Sequence, residues 1–275
     1  MKLKYFIAGV FLSCFIIDAL AQNSGDYNVT LSIGNVAPTV LVYAHANVNP
    51  VQNGITNTEF VLLLSDLNLI GDLNTTSINL SLTNGAVTHL QQSCYNQQTV
   101  TTTSINITCN VSLNYYDVAG SWAINASVKD NSNGLGYNDT STVTYNTLTA
   151  MGLGSNSITF GSLSLGQTAG ATNDPLVVYN QGNSNINNVS VKGYSLAGGT
   201  SSLINCSLIN VTTTDSSGTG TPMANDTMKQ LPTVTINRGS GASQNLYLWI
   251  TVPSSGLETA SYASQSSWVV AAYVN

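Results

Sequence analysis

The chain of 275 residues carries a formal net charge of −6, and only 7% of its residues are charged, whereas about a quarter are charged in an ordinary soluble domain. Because nucleic-acid binding requires a basic surface, we expect no nucleic-acid partner. The mean hydropathy of +0.12 also argues against disorder, which accompanies low hydrophobicity and high net charge.

The first 21 residues have the features of a secretory signal peptide. Two lysines precede an apolar run over residues 5–17, and an Ala-Leu-Ala sequence ending at Ala21 supplies a cleavage site. A membrane anchor is the alternative, but the run is shorter than the roughly 20 apolar residues of a span, and Asp18 interrupts it. Lipid attachment at Cys14 is a weaker alternative. We therefore predict a secreted, extracellular or cell-surface protein with no transmembrane span in the mature chain.

Short alternating runs separated by polar turns continue from residue 27 to residue 148, as expected for antiparallel strands. The run FVLLL, at residues 60–64, suits a central strand. Asn84-Gly85 marks a tight turn between two further strands. The first run predicts a strand whose inward face carries Tyr27, Val29, Leu31 and Ile33.

The strand pattern is clearest in GSWAINASVKD, at Gly120–Asp130. Its apolar side chains share one face and its polar side chains share the other, which is typical of a strand between a core and water. We predict that the apolar face is buried; it consists of Trp122, Ile124, Ala126 and Val128.

Residues 149–157, TAMGLGSNS, form a break rich in glycine and serine, after which alternating runs resume and end in the C-terminal strand SSWVVAAYVN. No segment keeps a helical period for three turns. We therefore predict an all-β protein with a signal peptide at residues 1–21. Two tandem antiparallel β-sandwich domains follow it, at residues 22–148 and 149–275.

Three cysteines remain after cleavage of the signal peptide. In an exported chain, Cys94 and Cys109 are the natural disulfide pair, and a loop of this length stabilises the fold by roughly 3 kcal/mol. Cys206 is left over. We favour its burial as a small apolar side chain, with an intermolecular bridge as the alternative.

Eleven Asn-x-Ser/Thr sequences are candidate N-glycosylation sites. Most of these asparagines have the outward parity of a predicted strand, three are predicted in turns (Asn74, Asn138 and Asn225), and Asn210 breaks the parity unless a bulge or a strand end precedes it. The predicted acceptors are Asn28, Asn74, Asn79, Asn106, Asn110, Asn125, Asn138, Asn188, Asn205, Asn210 and Asn225.

Residues that signal catalysis are scarce. The two histidines, His45 and His89, both lie in predicted strands, and Glu59 and Glu258 are each the only glutamate of their segment. No metalloprotease, nucleophile-elbow or nucleotide-binding motif is present. We therefore predict structural histidines and no enzyme activity.

One polar cluster suggests a metal site. Asp66, Asn68 and Asp72 occur together in SDLNLIGD, while Asp117 and Asp130 lie at other strand ends. Oxygen ligands in loops at one end of a sandwich are able to hold Ca²⁺, the one cofactor that we consider. The alternative is that these residues only form turns, in which Asp and Asn are common.

Several stretches resemble modules of microbial surface proteins. YYDVAGSWAINASVKDNSNG resembles the closing strands of PKD-like and other Ig-like modules, and NVTLSIGNVAPTV and SDLNLIGDLNTTSINLSL look like the start of such modules in archaeal envelope proteins. SITFGSLSLGQTAGATNDPLVVYNQGNSNINNVSV is similar to a β-sandwich module often found beside them. The resemblance implies Ig-like domains and a role at the cell surface, and it carries no catalytic residues.

We therefore predict a secreted, N-glycosylated structural subunit of a surface layer, sheath or extracellular filament. Sheet edges allow assembly by strand addition, so self-association or binding to other surface proteins is expected. A carbohydrate- or cell-binding adhesion module, with its site in loops at one end of a sandwich, is the alternative.

Overall fold

The computed structural model describes residues 28–43, 45–217, 219–232 and 234–274. These residues form nineteen β-strands and two 3-10 turns, without an α-helix, and they include no helix that is long and apolar enough to cross a bilayer. The predicted all-β class is confirmed. The predicted signal peptide lies outside the described residues. Contacts divide the chain after Asn35, and Val36–Asn275 form one compact unit.

Seven antiparallel strands form one sheet in the N-terminal half, residues 39–145, in the order β1-β2-β5-β4-β3-β6-β7. The two end strands approach each other, and the side-chain amide of Asn138 on β7 donates to the Val40 carbonyl on β1 at 3.3 Å. The sheet thus folds back over its own core, consistent with a β-sandwich. The strands are β1 (Thr39–Val42), β2 (Ile55–Ser65), β3 (Leu73–Asn84), β4 (Val87–Thr101), β5 (Ser104–Asn114), β6 (Gly120–Asp130) and β7 (Leu135–Tyr145).

Strand β6 has the predicted bounds and the predicted buried face. Trp122 and Val128 are fully buried. The indole N–H of Trp122 donates a hydrogen bond to the Val118 carbonyl at 2.9 Å. The FVLLL segment lies in β2, between β1 and β5, where it alternates instead of being buried throughout. The buried side chains of this half include Phe60, Leu62, Leu64, Leu80, Leu82, Ile105, Leu113, Trp122, Ile124 and Tyr145.

The C-terminal half, from residue 151, consists of shorter strands in one six-stranded and two three-stranded sheets. Strand β17 pairs with β10, β14 and β9, and the predicted C-terminal strand is β19, which pairs with β11. These strands are β8 (Met151–Leu153), β9 (Thr168–Gly170), β10 (Leu176–Asn180), β11 (Asn188–Gly193), β12 (Leu196–Gly198), β13 (Ser202–Ile204), β14 (Ile209–Thr212), β15 (Thr221–Pro222), β16 (Thr227–Gln230), β17 (Ser243–Thr251), β18 (Tyr262–Ser264) and β19 (Val269–Tyr273).

One end of the N-terminal half contacts the C-terminal half. The Asn53 amide donates to the Gln181 carbonyl at 3.1 Å, and the Arg238 guanidinium donates to the Tyr116 carbonyl at 3.0 Å. The opposite end carries the β2–β3, β4–β5 and β6–β7 connections, and we call it the distal end. Strand β1 also begins at this end, because Thr39 pairs with Ser65.

The predicted first strand is wrong. The described part of that segment, from residue 28 to residue 38, belongs to no sheet. Val29, Leu31 and Ile33 are 81%, 86% and 83% exposed, so their alternation has no core to enter. We call residues 28–35 the N-terminal arm. Tyr27 lies outside the described residues.

Candidate metal site and open sheet edge

Three connections meet at the distal end, and the acidic side chains of the candidate metal site come from the β2–β3 connection and from the end of β6. Asp66 follows β2, Asp72 ends a 3-10 turn at Ile70–Asp72, and Asp130 ends β6. Backbone hydrogen bonds hold the connections together: Asp66 N–H donates to the Thr103 carbonyl, and Asn131 N–H donates to the Asp72 carbonyl, each at 2.8 Å. The fold therefore brings Asp130 next to two carboxylates that precede it by more than fifty residues in the sequence.

The three carboxylates of this cluster are close and largely shielded from solvent. One oxygen from each of Asp66, Asp72 and Asp130 lies within 4.8 Å of the other two. Asp66 and Asp130 are each 1% exposed, and Asp72 is half-buried. Asp66 Oδ1 accepts a hydrogen bond from Asn68 N–H at 2.7 Å, whereas Asp66 Oδ2 is buried and has no hydrogen-bond partner. Such an arrangement of like charges favours a bound cation.

The sequence-predicted metal residues divide into two groups. Asp66 and Asp72 come together as predicted, with Asp130 as the third carboxylate. Asn68 turns its Oδ1 to the Val36 N–H, at 2.8 Å. Asp117 lies elsewhere, with its carboxylate 2.8 Å from His89 Nε2. The hydrogen bond from Asn68 N–H to Asp66 Oδ1 also makes Asp66 a turn residue, as the alternative interpretation predicts. A role in the turn and a role in a metal site do not exclude each other.

Both histidines contact side chains of the N-terminal half, but only His89 lies in a strand, β4; the predicted strand position of His45 is wrong, because β1 ends at Val42 and β2 begins at Ile55. His89 contacts Asp117, and its ring centroid is 5.5 Å from that of Trp122. His45 Nε2 is 3.1 Å from the Thr58 hydroxyl, and its ring lies 4.6 Å from Phe60. A hydrogen bond and ring packing thus account for the position of His45, and the contact with Asp117 and packing on Trp122 account for that of His89.

A second candidate site is the gap where β3 and β4 separate. Pairing between these strands covers only residues 81–84 of β3 and 87–90 of β4. Beyond it, the side-chain amide of Gln91 replaces the ladder: its oxygen accepts from Leu80 N–H, and its nitrogen donates to the Ile78 carbonyl at 2.6 Å. From Gln91 onward, β4 pairs only with β5. We call the separated segments, residues 74–80 and 91–101, the open edge.

Strand β4 differs from the other six strands of the N-terminal sheet because none of its fifteen residues is buried. Val87, Leu90 and Val100 are 39%, 62% and 51% exposed. A cavity of about 480 Å³ lies at the open edge, lined by Thr75, Thr76, Ile78, Gln91, Cys94, Tyr95, Asn96, Gln97 and Ile107. The exposed surface of β4 was not predicted, although QQSCYNQQTVTT lacks the apolar alternation of the other strands.

The cysteines behave as the sequence predicted. Cys94 and Cys109 form a disulfide between β4 and β5, which attaches the exposed strand to a buried one. Cys206 is a free thiol with no exposed surface. Burial raises the pKa of Cys206 to about 11, so the thiol stays protonated and poorly reactive at neutral pH.

None of the eleven predicted glycosylation asparagines is buried. The predicted turn positions of Asn74 and Asn138 are wrong, because β3 begins before Asn74 and β7 continues through Asn138. Asn205 caps the 3-10 turn Cys206–Leu208, and this turn shifts the phase of β14 so that Asn210 lies between two buried residues and faces outward. Occupancy of these sites stays a prediction.

No family model and no curated protein matches the chain. Among solved structures, the chain is similar to the secreted serine protease VesC from Vibrio cholerae, with a TM-score of 0.20 and 9% identity, over 86% of this chain and 51% of that chain. The chain therefore spans about half the length of that protein. A likeness this weak carries no argument about fold or activity.

Proposed function

We propose that the protein is a secreted, N-glycosylated structural subunit of a cell-surface assembly, such as a surface layer, sheath or filament. In this proposal its two halves are tandem Ig-like β-sandwich domains, related to modules of archaeal envelope proteins. Subunits join by strand addition, with the open edge as the acceptor. The observation that carries the proposal is that residues 91–101 of this edge pair with β5 only and that residues 28–33 belong to no sheet.

The open edge has the properties of an acceptor. An unpaired edge presents backbone N–H and C=O groups to any extended chain, and proteins normally protect such edges. Here β4 lacks a partner on one side over residues 91–101 and buries none of its side chains. An added strand would cover the exposed side chains of β4 and the cavity beside Ile78 and Ile107.

The N-terminal arm of a second copy has the properties of the donor. Its exposed Val29, Leu31 and Ile33 recur at every second residue, so in an extended strand they point to one face, toward pockets of the acceptor. The polar Asn28, Thr30 and Ser32 then face water. Because the arm and the acceptor are different surfaces, each copy binds the next one head to tail, which produces open filaments or sheets.

The first test compares protein that begins at residue 22 with protein that begins at residue 36. We expect the longer protein to form oligomers in light scattering and ordered assemblies in electron microscopy, and the shorter one to stay monomeric. Circular dichroism verifies that the shorter protein is folded. A longer protein that stays monomeric at high concentration contradicts the proposal, as does a shorter protein that assembles equally well.

The second test uses the parity of the arm. Replacing Val29, Leu31 and Ile33 together by serine should abolish assembly, because the apolar face is lost at unchanged length. The matched control, Thr30→Ser with Ser32→Ala, changes the opposite face, keeps the Asn28 acceptor sequence, and should assemble like the parent protein. Equal assembly of both variants would show that the arm does not act as a strand.

A further inference from the structure

We propose that Asp66, Asp72 and Asp130 form a calcium-binding site at the distal end of the N-terminal half. The site lies within one chain, so it is independent of assembly through the arm. It differs from the ligand set predicted from sequence, because Asp130 from the β6–β7 connection replaces Asn68 as the third ligand.

The spacing of the carboxylates suits Ca²⁺. Oxygen ligands bind Ca²⁺ at about 2.3–2.6 Å, so two ligands on opposite sides of the ion are about 5 Å apart. One oxygen of each carboxylate lies within 4.8 Å of the other two, a spacing that fits three ligands around one ion of this size. Mg²⁺ binds at about 2.0–2.1 Å, demands octahedral geometry and retains several waters, so it fits this protein cage less well.

A buried oxygen of Asp66 supports the calcium site independently of the spacing of the carboxylates. Asp66 is 1% exposed, and its Oδ2 has no hydrogen-bond partner. A buried carboxylate oxygen without a donor is costly. Among the described residues, the basic side chains within 4.0 Å of a carboxylate are His89, next to Asp117, and Lys192, next to Asp226, so no basic side chain contacts Asp66 or Asp72. A divalent cation supplies the missing partner.

The other two carboxylates of the site, Asp130 and Asp72, have different surroundings. Asp130 Oδ1 accepts hydrogen bonds from Ser132 N–H at 2.9 Å and Gly134 N–H at 2.7 Å, which orient its carboxylate. Asp72 is half-buried, so water can reach the ion on that side. Because Ca²⁺ takes six to eight oxygens, three carboxylates with added water make a complete coordination shell.

The bound ion would connect two loops at the distal end, and one of these loops also contacts the first residue of the folded unit. It joins the β2–β3 connection to the β6–β7 connection across the distal end. The first of these loops also contains Asn68, which accepts a hydrogen bond from Val36 N–H. Calcium should therefore also stabilise the contact between this loop and Val36, the first residue of the folded unit.

Isothermal titration of Ca²⁺ into EDTA-treated protein, beginning at residue 22, tests the site. We expect one ion per chain, with a dissociation constant of about 10⁻⁴–10⁻³ M as in extracellular calcium modules, and a higher melting temperature with Ca²⁺. The stoichiometry should be the same in monomers and assemblies, so failed assembly leaves this result intact. Absence of both binding heat and a melting shift at about 10 mM Ca²⁺, ten times the weak end of that range, overturns the proposal.

Matched variants locate the ion. Asp72→Asn, at the half-buried ligand, and Asp66→Asn should each weaken Ca²⁺ binding at least tenfold, while Glu59→Gln, which removes an exposed carboxylate from β2, should bind like wild type. Asp130→Asn is avoided because an asparagine two residues before Ser132 would create a new glycosylation acceptor.

In EDTA, the Asp66→Asn variant should be at least as stable as the wild type, because one of three neighbouring negative charges is removed. Wild-type affinity in both aspartate variants would contradict the site, and Asp72→Asn decides alone if Asp66→Asn does not fold.

Discussion

Two strands of the same sheet, β6 and β4, are held in place in different ways. Strand β6 pairs with β3 and β7 along most of its length and buries its whole apolar face. Strand β4 is longer, pairs with β3 over residues 87–90 only, and buries no residue. Both strands are antiparallel neighbours of β3, one on each side of it. They differ in how much of each strand is paired with β3 and in whether its side chains are covered by a core.

The comparison separates the part of the sheet that burial stabilises from the part that local bonds stabilise. In β6, removal of apolar surface from water provides the stability. In β4, the Cys94–Cys109 disulfide, the Gln91 side-chain bonds and the β5 ladder provide it. A strand held in this way keeps its outer surface available, as an acceptor strand requires.

The largest expected effect is at the buried face of β6. Trp122→Ala should lower the free energy of unfolding by about 3–5 kcal/mol, because a fully buried indole leaves a cavity. The matched variant on β4 is Leu90→Ala. It should change the free energy of unfolding by about 0.5 kcal/mol or less, because Leu90 is 62% exposed. Urea denaturation followed by circular dichroism measures both. Equal losses would mean that β4 is covered as β6 is.

The next effect is at the disulfide that attaches β4 to β5. Cys94→Ala removes the bridge but leaves the fully buried Cys109 side chain in the core, so the loss reports the cross-link and not a cavity. With a sequence separation of 15 residues, we expect a loss of about 3 kcal/mol in urea denaturation. Reductant should destabilise the wild type and leave the variant unchanged. A wild type that reductant does not affect would contradict this role.

The same contrast explains how much of the fold the sequence could predict. Strand β6 was predicted to the residue because its alternation, GSWAINASVKD, comes from burial of one face within a single chain. The segment at residues 28–33 has an equally clear alternation, yet it belongs to no sheet. Periodicity reports which face of a strand is apolar, and it does not report whether the core that covers this face is in the same chain.

The metal site shows a second limit of prediction from sequence. Asp66 and Asp72 were recognised because they are neighbours in one loop, whereas Asp130 reaches them only through the pairing of Leu73 with Asp130 in the β3–β6 ladder. Such a ligand depends on strand register, which the local sequence does not specify. The sequence also predicts Asn68 as an oxygen ligand from the same loop, but its Oδ1 accepts a hydrogen bond from Val36 N–H.

A smaller effect is expected at Gln91, where the β3–β4 ladder stops. Gln91→Ala removes the side chain that bonds to Leu80 N–H and the Ile78 carbonyl, and should cost about 1–2 kcal/mol by leaving both without this partner. Gln92→Ala is the control, because Gln92 is exposed on the same strand. Hydrogen exchange should show faster exchange at Leu80 in the first variant only. Unchanged exchange there would mean that the amide does not continue the ladder.

The smallest effect is electrostatic and concerns the surface of β4. The Tyr95 hydroxyl donates to Glu59 Oε1, and this hydrogen bond, assisted by partial burial and by the Glu59 charge, raises the pKa of Tyr95 above 10.0. Because the raised pKa belongs to the folded state, the interaction stabilises the fold below pH 10 and is lost as the pH rises through the folded-state pKa.

Glu59→Gln should therefore lower the pKa of Tyr95 toward 10.0, with little change in the free energy of unfolding at neutral pH. A carbon NMR titration of the tyrosine rings measures the shift, with Tyr95→Phe to assign the signal. Asp139→Gln, which removes an exposed carboxylate from β7, should leave the titration of Tyr95 unchanged. An unchanged pKa in Glu59→Gln would mean that β4 is free of this contact with β2, and that the disulfide, the Gln91 amide and the β5 ladder alone fix its position.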